Sequence, residues 1–346
     1  MELTRFPARH GGDLSVARRA FGAPAGGWLD LSTGVNPWPY PCGDIDPETL
    51  TRLPQDDALE ALLVAARRAY GIPPDSRLVA APGSQALIQA LPGMRPRSRV
   101  AVLAPTYEEH AVAWRGLGHA VDEVASLADC RDADVAVVVN PNNPDGRVTD
   151  RVTLGAVAER LAARGGWLVV DETFADVAPE ASLASTPGLA NTLVIRSFGK
   201  FFGLPGLRLG FITGPPALVD PIGRRLGPWA VSGPALDIGR RALADTEWAT
   251  GTRRRLEAMR RELDAVLAER GLTVIGGTDL FRLVETAAAC ALHRGVGRAG
   301  VLVRSFERHP CWLRVGLPPS GEALQRLSVE LKKALPLPDV DVRERR

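Results

Sequence analysis

Short apolar runs alternate with amphipathic stretches through the middle of the chain. The apolar runs predict buried strands. They are Arg99–Ala104, Ala133–Val139, Trp167–Asp171, Thr192–Arg196 and Arg208–Thr213. Apolar residues at helical spacing predict helices at Ala58–Tyr70, Tyr107–Leu117 and Arg151–Arg164. This alternation predicts an α/β domain with a mostly parallel sheet, whose ligands bind at the carboxyl ends of the strands.

The pattern changes after a long amphipathic helix predicted at Arg253–Arg270. Its basic run Arg253-Arg254-Arg255 indicates a solvated helix face, which we favour over a nucleic-acid site. Strands follow at Leu272–Ile275, Leu280–Val284, Val301–Arg304 and Trp312–Val315, with helices at Thr286–Arg294 and Gly321–Leu335. We expect a Gly- and Pro-rich N-terminal arm at 1–45 that lies over the active site and against the small domain. A large domain at 46–250 and a small α+β domain at 251–346 complete the prediction.

The composition narrows the class of protein. The chain has 346 residues, of which 45% are hydrophobic and 24% charged, as in a soluble globular protein. Its net charge of +2 gives no reason to expect nucleic acid or an anionic membrane as a partner. The cysteines Cys42, Cys130, Cys290 and Cys311 lie far apart, so no zinc, redox or disulfide motif is expected. No run has the length of a signal peptide or a membrane span, and we expect a cytoplasmic enzyme.

Lys200 is the most informative residue, in the run Ser197-Phe198-Gly199-Lys200-Phe201, with Arg208 further along. An apolar setting or a nearby cation favours the neutral lysine amine, which can then add to an aldehyde. Ser197 and Arg208 are suited to hold a phosphate beside it. An aldehyde and a phosphate on one cofactor describe pyridoxal phosphate (PLP). In isolation, the motif also fits a surface lysine in a Gly-rich loop.

Three upstream segments fit further parts of a PLP site. The run Gly83-Ser84-Gln85 precedes a helical stretch, and backbone amides at a helix N-terminus bind phosphate well. Tyr107 follows a predicted strand, where its ring can stack on a pyridine ring. Asn143 lies in a Pro- and Gly-containing turn and can donate a hydrogen bond to the phenolate oxygen of PLP. Each segment alone also fits ordinary packing or a plain turn.

Asp171 ends the predicted strand that begins at Trp167. A carboxylate in such a place is unfavourable unless it is paired. A protonated pyridine nitrogen would pair it and would keep the cofactor an electron sink. Glu172 is the competing carboxylate, and a helix cap or a surface acid is the plain alternative.

Two arginines in the predicted small domain are candidate substrate anchors. Arg314 lies in one predicted strand, and Arg304 ends a neighbouring one. A buried arginine binds a carboxylate or a phosphate in bidentate geometry. Two buried arginines suggest a substrate with more than one anionic group. The alternative is that both are surface arginines of their strands and bind no substrate.

In this order the segments resemble the fold-type I PLP-dependent enzymes, the aspartate aminotransferase superfamily, over nearly the whole chain. Within it, His10-Gly11-Gly12-Asp13 and Leu29–Pro37 resemble the threonine-phosphate decarboxylase family, which is close to the histidinol-phosphate aminotransferases. The resemblance implies a homodimer in which His10 and Asn36 face the substrate. It also implies decarboxylation of L-threonine O-3-phosphate to (R)-1-amino-2-propanol O-2-phosphate in cobalamin biosynthesis.

The expected site therefore has three groups of residues and no metal. The cofactor-binding residues are Gly83, Ser84, Gln85, Tyr107, Asn143, Asp171, Ser197, Lys200 and Arg208. Among them Lys200, Asp171 and Tyr107 are expected to be catalytic. The substrate-binding residues are His10, Asn36, Arg304 and Arg314.

Three positions depart from the pattern of these relatives. Phe174 stands where many aminotransferases have a tyrosine that hydrogen-bonds the cofactor's phenolate oxygen, which weakens the case for ordinary transamination. Leu53 replaces a tyrosine that reaches the neighbouring subunit's cofactor phosphate, so we expect that contact to be absent. Gly199 replaces a common Ser or Thr.

Three functions remain open at this point. The first is the decarboxylase, and the second is an aminotransferase that acts on histidinol phosphate or a related amino acid. The third is a non-catalytic partner protein, which the retention of Lys200, Asp171, Asn143 and Arg208 argues against. The sequence does not distinguish threonine phosphate from serine phosphate, nor the phosphate anchor from the carboxylate anchor.

Overall fold

The computed structural model of the protein describes residues 10–335. Its helices are α1 (Leu14–Phe21), α2 (Glu48–Thr51), α3 (Asp56–Tyr70), α4 (Ser84–Ala90), α5 (Glu109–Gly116), α6 (Arg151–Ala162), α7 (Pro216–Leu226), α8 (Gly233–Ala244), α9 (Thr246–Glu269), α10 (Ala289–Arg298) and α11 (Gly321–Ala334). Its strands are β1 (Leu29–Asp30), β2 (Arg77–Ala81), β3 (Arg99–Leu103), β4 (Ala120–Val124), β5 (Val135–Val139), β6 (Trp167–Asp171), β7 (Thr192–Ser197), β8 (Gly210–Gly214), β9 (Thr273–Thr278), β10 (Phe281–Glu285), β11 (Val301–Leu302), β12 (Arg304–Ser305) and β13 (Trp312–Gly316).

A seven-stranded sheet organises the larger part of the chain, in the order β2-β8-β7-β6-β5-β3-β4. Strands β3 to β7 pair in parallel, whereas β8 is antiparallel to both β2 and β7. The predicted mostly parallel sheet is therefore confirmed. Strand β5 is buried along its whole length, as its five-residue apolar run predicts.

The sheet brings the candidate residues to one edge. Strands β3, β5, β6 and β7 all end there, because they run in parallel. Strand β8 runs the other way, so its first residue, Gly210, pairs with Ser197 at the end of β7. Gly210 also pairs with Ala81 at the end of β2. The turn after β2 consequently lies at the same edge as the loop that holds Lys200.

Several boundaries differ from the sequence-based prediction. Strand β8 begins at Gly210 and not at Arg208, which has a left-handed backbone with φ of 55°. The strand predicted at Val301–Arg304 is interrupted, so Arg304 lies in the separate strand β12. Helix α9 begins at Thr246, before the predicted start, and helix α10 runs further than predicted, to Arg298.

Two strands of the large sheet were not predicted. Strand β4 contains Asp122 and Glu123 and lies largely exposed at the edge, so it has no apolar run. Strand β2 begins with an exposed arginine and ends in two alanines, which gives only a weak pattern. Both strands form because neighbouring strands supply hydrogen-bond partners, which a local pattern does not reveal.

The chain divides into two compact units. The first combines residues up to Pro37 with those from Arg255 onwards, and the second is Trp38–Arg254. In the described part of the first unit, β12-β13-β10-β9 form an antiparallel sheet, and β1 pairs in parallel with β11. The second unit holds the seven-stranded sheet. Between residues 10 and 335, no helix is both long and apolar enough to cross a membrane.

Candidate active site

The second unit places the Gly83–Ser84 turn against the start of β8. A Cβ atom added at Gly210 would lie 2.5 Å from the backbone nitrogen of Ser84, so a side chain there would displace the turn. Ser197 is the register partner of Gly210 on β7. The start of α4, with its free backbone amides, and the Ser197 backbone therefore lie close together, as the phosphate hypothesis requires.

Arg208 completes this cluster. A Cβ atom at Gly83 would lie 2.6 Å from Nη2 of Arg208, which means that the guanidinium lies directly over the turn. Nη1 of Arg208 donates to the carbonyl oxygen of Pro205 at 3.0 Å. The left-handed backbone of Arg208 is strained for a residue with a side chain, at about 1–3 kcal/mol. An exposed guanidinium over a helix N-terminus is suited to a phosphate.

Tyr107 and Gln85 are also brought together. The hydroxyl of Tyr107 donates to Oε1 of Gln85 at 3.2 Å. Gln85 in turn donates through Nε2 to Oε2 of Glu109 at 3.3 Å. These bonds tie the strand end that carries Tyr107 to the first turn of α4, so the half-buried Tyr107 ring and the Gly83–Ser84 turn face one site.

Asp171 is 2% exposed and has a histidine partner that the sequence did not predict. Nε2 of His110 donates to Oδ2 of Asp171 at 2.9 Å, and the backbone nitrogen and hydroxyl of Thr173 donate to Oδ1. Burial alone would raise the pKa of Asp171, but the hydrogen bonds from His110 and Thr173 outweigh it and hold that pKa below its ordinary value. The carboxylate therefore stays charged and is suited to pair a cation.

The sequence signal that pointed toward His110 was its closeness to Tyr107. His110 lies in α5, and its backbone nitrogen donates to the carbonyl oxygen of Tyr107, three residues earlier, at 3.3 Å. The two rings meet edge to face with centroids 6.3 Å apart. A residue that can stack on a pyridine ring and one that contacts Asp171 thus come from one short segment at the start of α5.

Glu172, the competing carboxylate, belongs to a different cluster. Its Oε2 accepts from Nη1 of Arg196 at 3.0 Å and from the hydroxyl of Ser182. Burial raises the pKa of Glu172, although Arg196 opposes the shift. Because Arg196 already pairs Glu172, Asp171 is the better candidate for a cationic cofactor atom.

Buried aromatic side chains anchor the chain on both sides of Lys200. Phe198, Phe201 and Phe202 are all buried, and Phe202 stacks between Phe198 and Trp248 at centroid distances of 4.3 and 5.5 Å. Lys200 itself is half-buried.

The structure explains Gly199. A Cβ atom there would lie 2.8 Å from Cα of Pro205, so any side chain would collide with the turn that leads to Arg208. The hydroxyl that many relatives carry at this position is therefore excluded by the backbone. Ser197 is therefore the residue that carries a hydroxyl in the run Ser197–Phe201.

The turn that carries Asn143 is anchored by its neighbour. Nδ2 of Asn142 donates to the carbonyl oxygen of Pro105 at 2.8 Å, and the hydroxyl of Thr106 donates to Oδ1 of Asn142 at 2.6 Å. These bonds join the turn to the segment that carries Tyr107. Asn143 is half-buried next to them.

The other two departures have different surroundings. Phe174 is buried, and a phenylalanine side chain offers no hydroxyl from that position. Leu53 is 59% exposed and lies just before α3.

All four predicted substrate residues lie in the first unit. Arg314 is buried, donates to the carbonyl oxygen of Ser32 at 2.9 Å and lies over the ring of Phe281. Arg304 is its direct register partner on the neighbouring strand. Burial, with a contribution from Arg304, lowers the pKa of Arg314 to about 9, while Asp30 opposes the shift. Two adjacent guanidinium groups are suited to bind an anion.

His10 and Asn36 belong to the N-terminal part of the first unit. Asn36 is buried, whereas His10 is exposed. The backbone nitrogen of Gly12 donates to the hydroxyl of Ser32 at 2.8 Å, and Ser32 is the residue that Arg314 contacts. The chain just after His10 therefore lies close to Arg314.

The donor set of the second unit fits PLP. It offers a charged buried carboxylate, an aromatic face, a half-buried lysine amine and a cationic turn with free amides, which match the pyridine nitrogen, ring, aldehyde and phosphate. No group of three or more His, Cys, Asp or Glu residues that could hold a metal occurs in the part of the chain that the structure describes.

Comparison with known proteins gives consistent results. The chain matches the family Aminotransferase class I and II over residues 46–327. It is 45% identical to a threonine-phosphate decarboxylase of Pseudomonas aeruginosa, covering 93% of this chain and 96% of that protein. It is 42% identical to a threonine-phosphate decarboxylase of Sinorhizobium sp, covering 94% and 98%. The fold is similar to that of a histidinol-phosphate aminotransferase from Sinorhizobium meliloti in complex with pyridoxal-5'-phosphate, with a TM-score of 0.77, 18% identity and coverage of 96% and 98%.

Replacing Gly210 by alanine tests the close approach of β8 to the Gly83–Ser84 turn. We expect Gly210→Ala to lower the free energy of unfolding by about 1–3 kcal/mol and to weaken PLP binding, because the added methyl displaces the turn. Gly155→Ala is the matched control, since a Cβ atom there meets nothing within 4 Å. In the interior of α6 it should stabilise by about 0.5–1 kcal/mol. Urea unfolding and PLP titration measure both, and unchanged PLP affinity in Gly210→Ala would refute the assignment of the turn.

Proposed function

The chain belongs to the aminotransferase class I and II family, and we propose that it decarboxylates L-threonine O-3-phosphate with PLP as cofactor. The product is (R)-1-amino-2-propanol O-2-phosphate, a building block in cobalamin biosynthesis. The observation that carries the proposal is the 45% identity to a threonine-phosphate decarboxylase over 93% of the chain. The donor set around Asp171 and Lys200 independently supports PLP as the cofactor.

Each candidate cofactor-binding residue of the second unit has a role in this proposal. When bound, PLP supplies an electron-deficient ring that accepts the electron pair of a bond broken at the substrate's α-carbon. Asp171, held charged by His110, would stabilise the protonated pyridine nitrogen. Asn143 would donate to the phenolate oxygen, and Tyr107 would pack on the ring. The Gly83–Ser84 turn with Gln85, Ser197 and Arg208 would hold the phosphate.

Lys200 would hold the cofactor's aldehyde through its amine until the substrate's amine takes that place. After CO2 leaves, the α-carbon must gain one proton, which the released and protonated amine of Lys200 would deliver. The same side chain thus serves in binding and in acid catalysis.

The substrate anchors decide which bond breaks. A decarboxylase must hold the α-carboxylate perpendicular to the cofactor ring, whereas an aminotransferase holds the Cα–H bond there. Arg304 and Arg314 are register partners, and together they suit a substrate that carries a phosphate and a carboxylate. His10 and Asn36 are the remaining anchors in this proposal.

We also propose a cytoplasmic homodimer. On the second unit, Leu50, Leu53 and Trp229 are 68%, 59% and 59% exposed. A contiguous patch of such side chains would be typical of a surface that packs against another protein. Leu53 occupies the position whose tyrosine reaches a neighbouring subunit in related enzymes, and leucine would replace a polar contact by an apolar one.

The reaction itself is the first test. PLP-loaded protein incubated with L-threonine O-3-phosphate and no keto acid should yield a product that has lost one CO2, as measured by mass spectrometry. Lys200→Ala should abolish the product, because it removes the amine that binds the cofactor. Unchanged substrate would contradict the decarboxylase, and histidinol phosphate with 2-oxoglutarate would then test the aminotransferase.

His110→Phe tests the role of His110 beside Asp171. The ring shape is nearly kept, but the donor to the carboxylate is lost, so we expect PLP affinity to fall by roughly 10–100-fold. His119→Phe is the control, because His119 is a buried histidine that contacts the backbone at Ser98 and Pro92. It should destabilise the fold without weakening PLP binding. Equal PLP affinity in the two variants, measured by fluorescence titration, would refute the role.

Arg304→Gln tests the pair of arginines. Loss of one charge-assisted contact should raise the KM for threonine phosphate by roughly 10–100-fold. Arg298→Gln removes the same charge from an exposed position on α10 and should leave KM unchanged. Steady-state kinetics measure KM for both variants, and similar KM values would exclude Arg304 as a substrate anchor.

A further inference from the structure

Arg253 does not lie on a solvated helix face as its sequence pattern predicts. Arg254 and Arg255, the other two residues of the basic run, are exposed on α9, but Arg253 is half-buried. Its side chain turns toward the loop that carries Lys200. In the basic run, Arg254 and Arg255 are therefore solvated, whereas Arg253 makes contacts within the protein.

Arg253 contacts two separate segments. Its Nε donates to the backbone carbonyl oxygen of Asp176 at 2.7 Å. Its guanidinium lies over the ring of Phe201, 5.1 Å from the centroid, in the geometry of a cation–π contact. Phe201 directly follows Lys200, and its buried ring packs edge-on against Phe202 and Trp248. A shift of Arg253 is therefore transmitted to Lys200 through one peptide bond.

The segment around Asp176 is fixed on its other side. The carboxylate of Asp176 accepts from Nη2 of Arg196 at 2.6 Å, and Nη1 of Arg196 donates to Glu172 at 3.0 Å. Glu172 follows Asp171 directly, and Arg196 precedes Ser197. The segment 172–176 is thus bonded to the chain before Lys200 through Arg196 and to the chain after Lys200 through Arg253.

We infer that Arg253 is a positioning residue, which fixes the amine of Lys200 relative to the carboxylate of Asp171. This inference rests on the proposed function, in which the two groups hold opposite parts of one cofactor. They act together only when the distance between them stays within about 0.5 Å of the productive value. That precision demands fixed neighbours on both sides of Lys200. The ion pairs of Arg196 fix one side, and Arg253 fixes the other.

Arg253→Gln and Arg254→Gln form a matched pair of variants. Both remove one charge from the same helix, but only the first removes the contacts with Asp176 and Phe201. For Arg253→Gln we expect kcat for threonine phosphate to fall about tenfold while KM stays within about twofold, since a small misplacement affects the chemical step most. The visible circular dichroism of bound PLP, which reports its orientation, should change. Arg254→Gln should match the wild type in all three.

Thermal unfolding of the cofactor-free variants separates positioning from stability. A lower unfolding temperature with unchanged dichroism and kcat would overturn the inference, as would identical behaviour of the two variants. If Arg253→Gln does not fold, Arg253→Met carries the same expectation, because it keeps an apolar stem over Phe201.

Dichroism of bound PLP distinguishes a failed role of Arg253 from a failed proposed function. The dichroism comparison needs no substrate, so it tests Arg253 even if threonine phosphate is not turned over. A wild-type protein that forms no visible PLP band would refute the cofactor assignment and this inference together. A wild-type band that Arg253→Gln leaves unaltered would refute the inference alone.

Discussion

Two adjacent carboxylates at the end of β6 set the main constraint on this structure. Asp171 and Glu172 are both buried, and an unpaired charge in such a place is strongly unfavourable. Consecutive residues at a strand end point to opposite faces, so each carboxylate needs its own partners. His110 and Thr173 satisfy Asp171, whereas Arg196 and Ser182 satisfy Glu172. One face becomes a site with a charged acceptor, and the other becomes a buried ion cluster that holds the neighbouring strands.

Close backbone contacts shape the opposite end of the site. Gly199 and Gly210 have no room for a Cβ atom, because Pro205 and Ser84 lie too near. At Gly83 the space is taken by the guanidinium of Arg208. These glycines allow the turn at 83–84 and the segment 199–210, which are distant in sequence, to approach each other closely. The strained backbone of Arg208 fits this view, since such strain persists where the surrounding structure fixes it.

The sequence predicted those features that a local pattern encodes. Strands β5 and β6 have continuous apolar runs, and the residues that follow them lie at the expected edge of the sheet. His110 was not predicted, because a lone histidine on a helix does not reveal a partner 61 residues away. Arg253 was misassigned for a related reason, since its neighbours in sequence are solvated and its contacts are tertiary. Strand β4 was missed because an exposed edge strand has no apolar run.

Within this family the fold does not determine which bond breaks, since chemistry depends on the residues that a fold carries. The donor set of the second unit fits PLP, and it would serve a transaminase equally well. What favours decarboxylation is found elsewhere. Phe174 offers no hydroxyl where many aminotransferases have a tyrosine, and the first unit places Arg304 beside the buried Arg314. A substrate with two anionic groups offsets the repulsion between these cations, and the proposed threonine phosphate carries both a phosphate and the carboxylate that leaves.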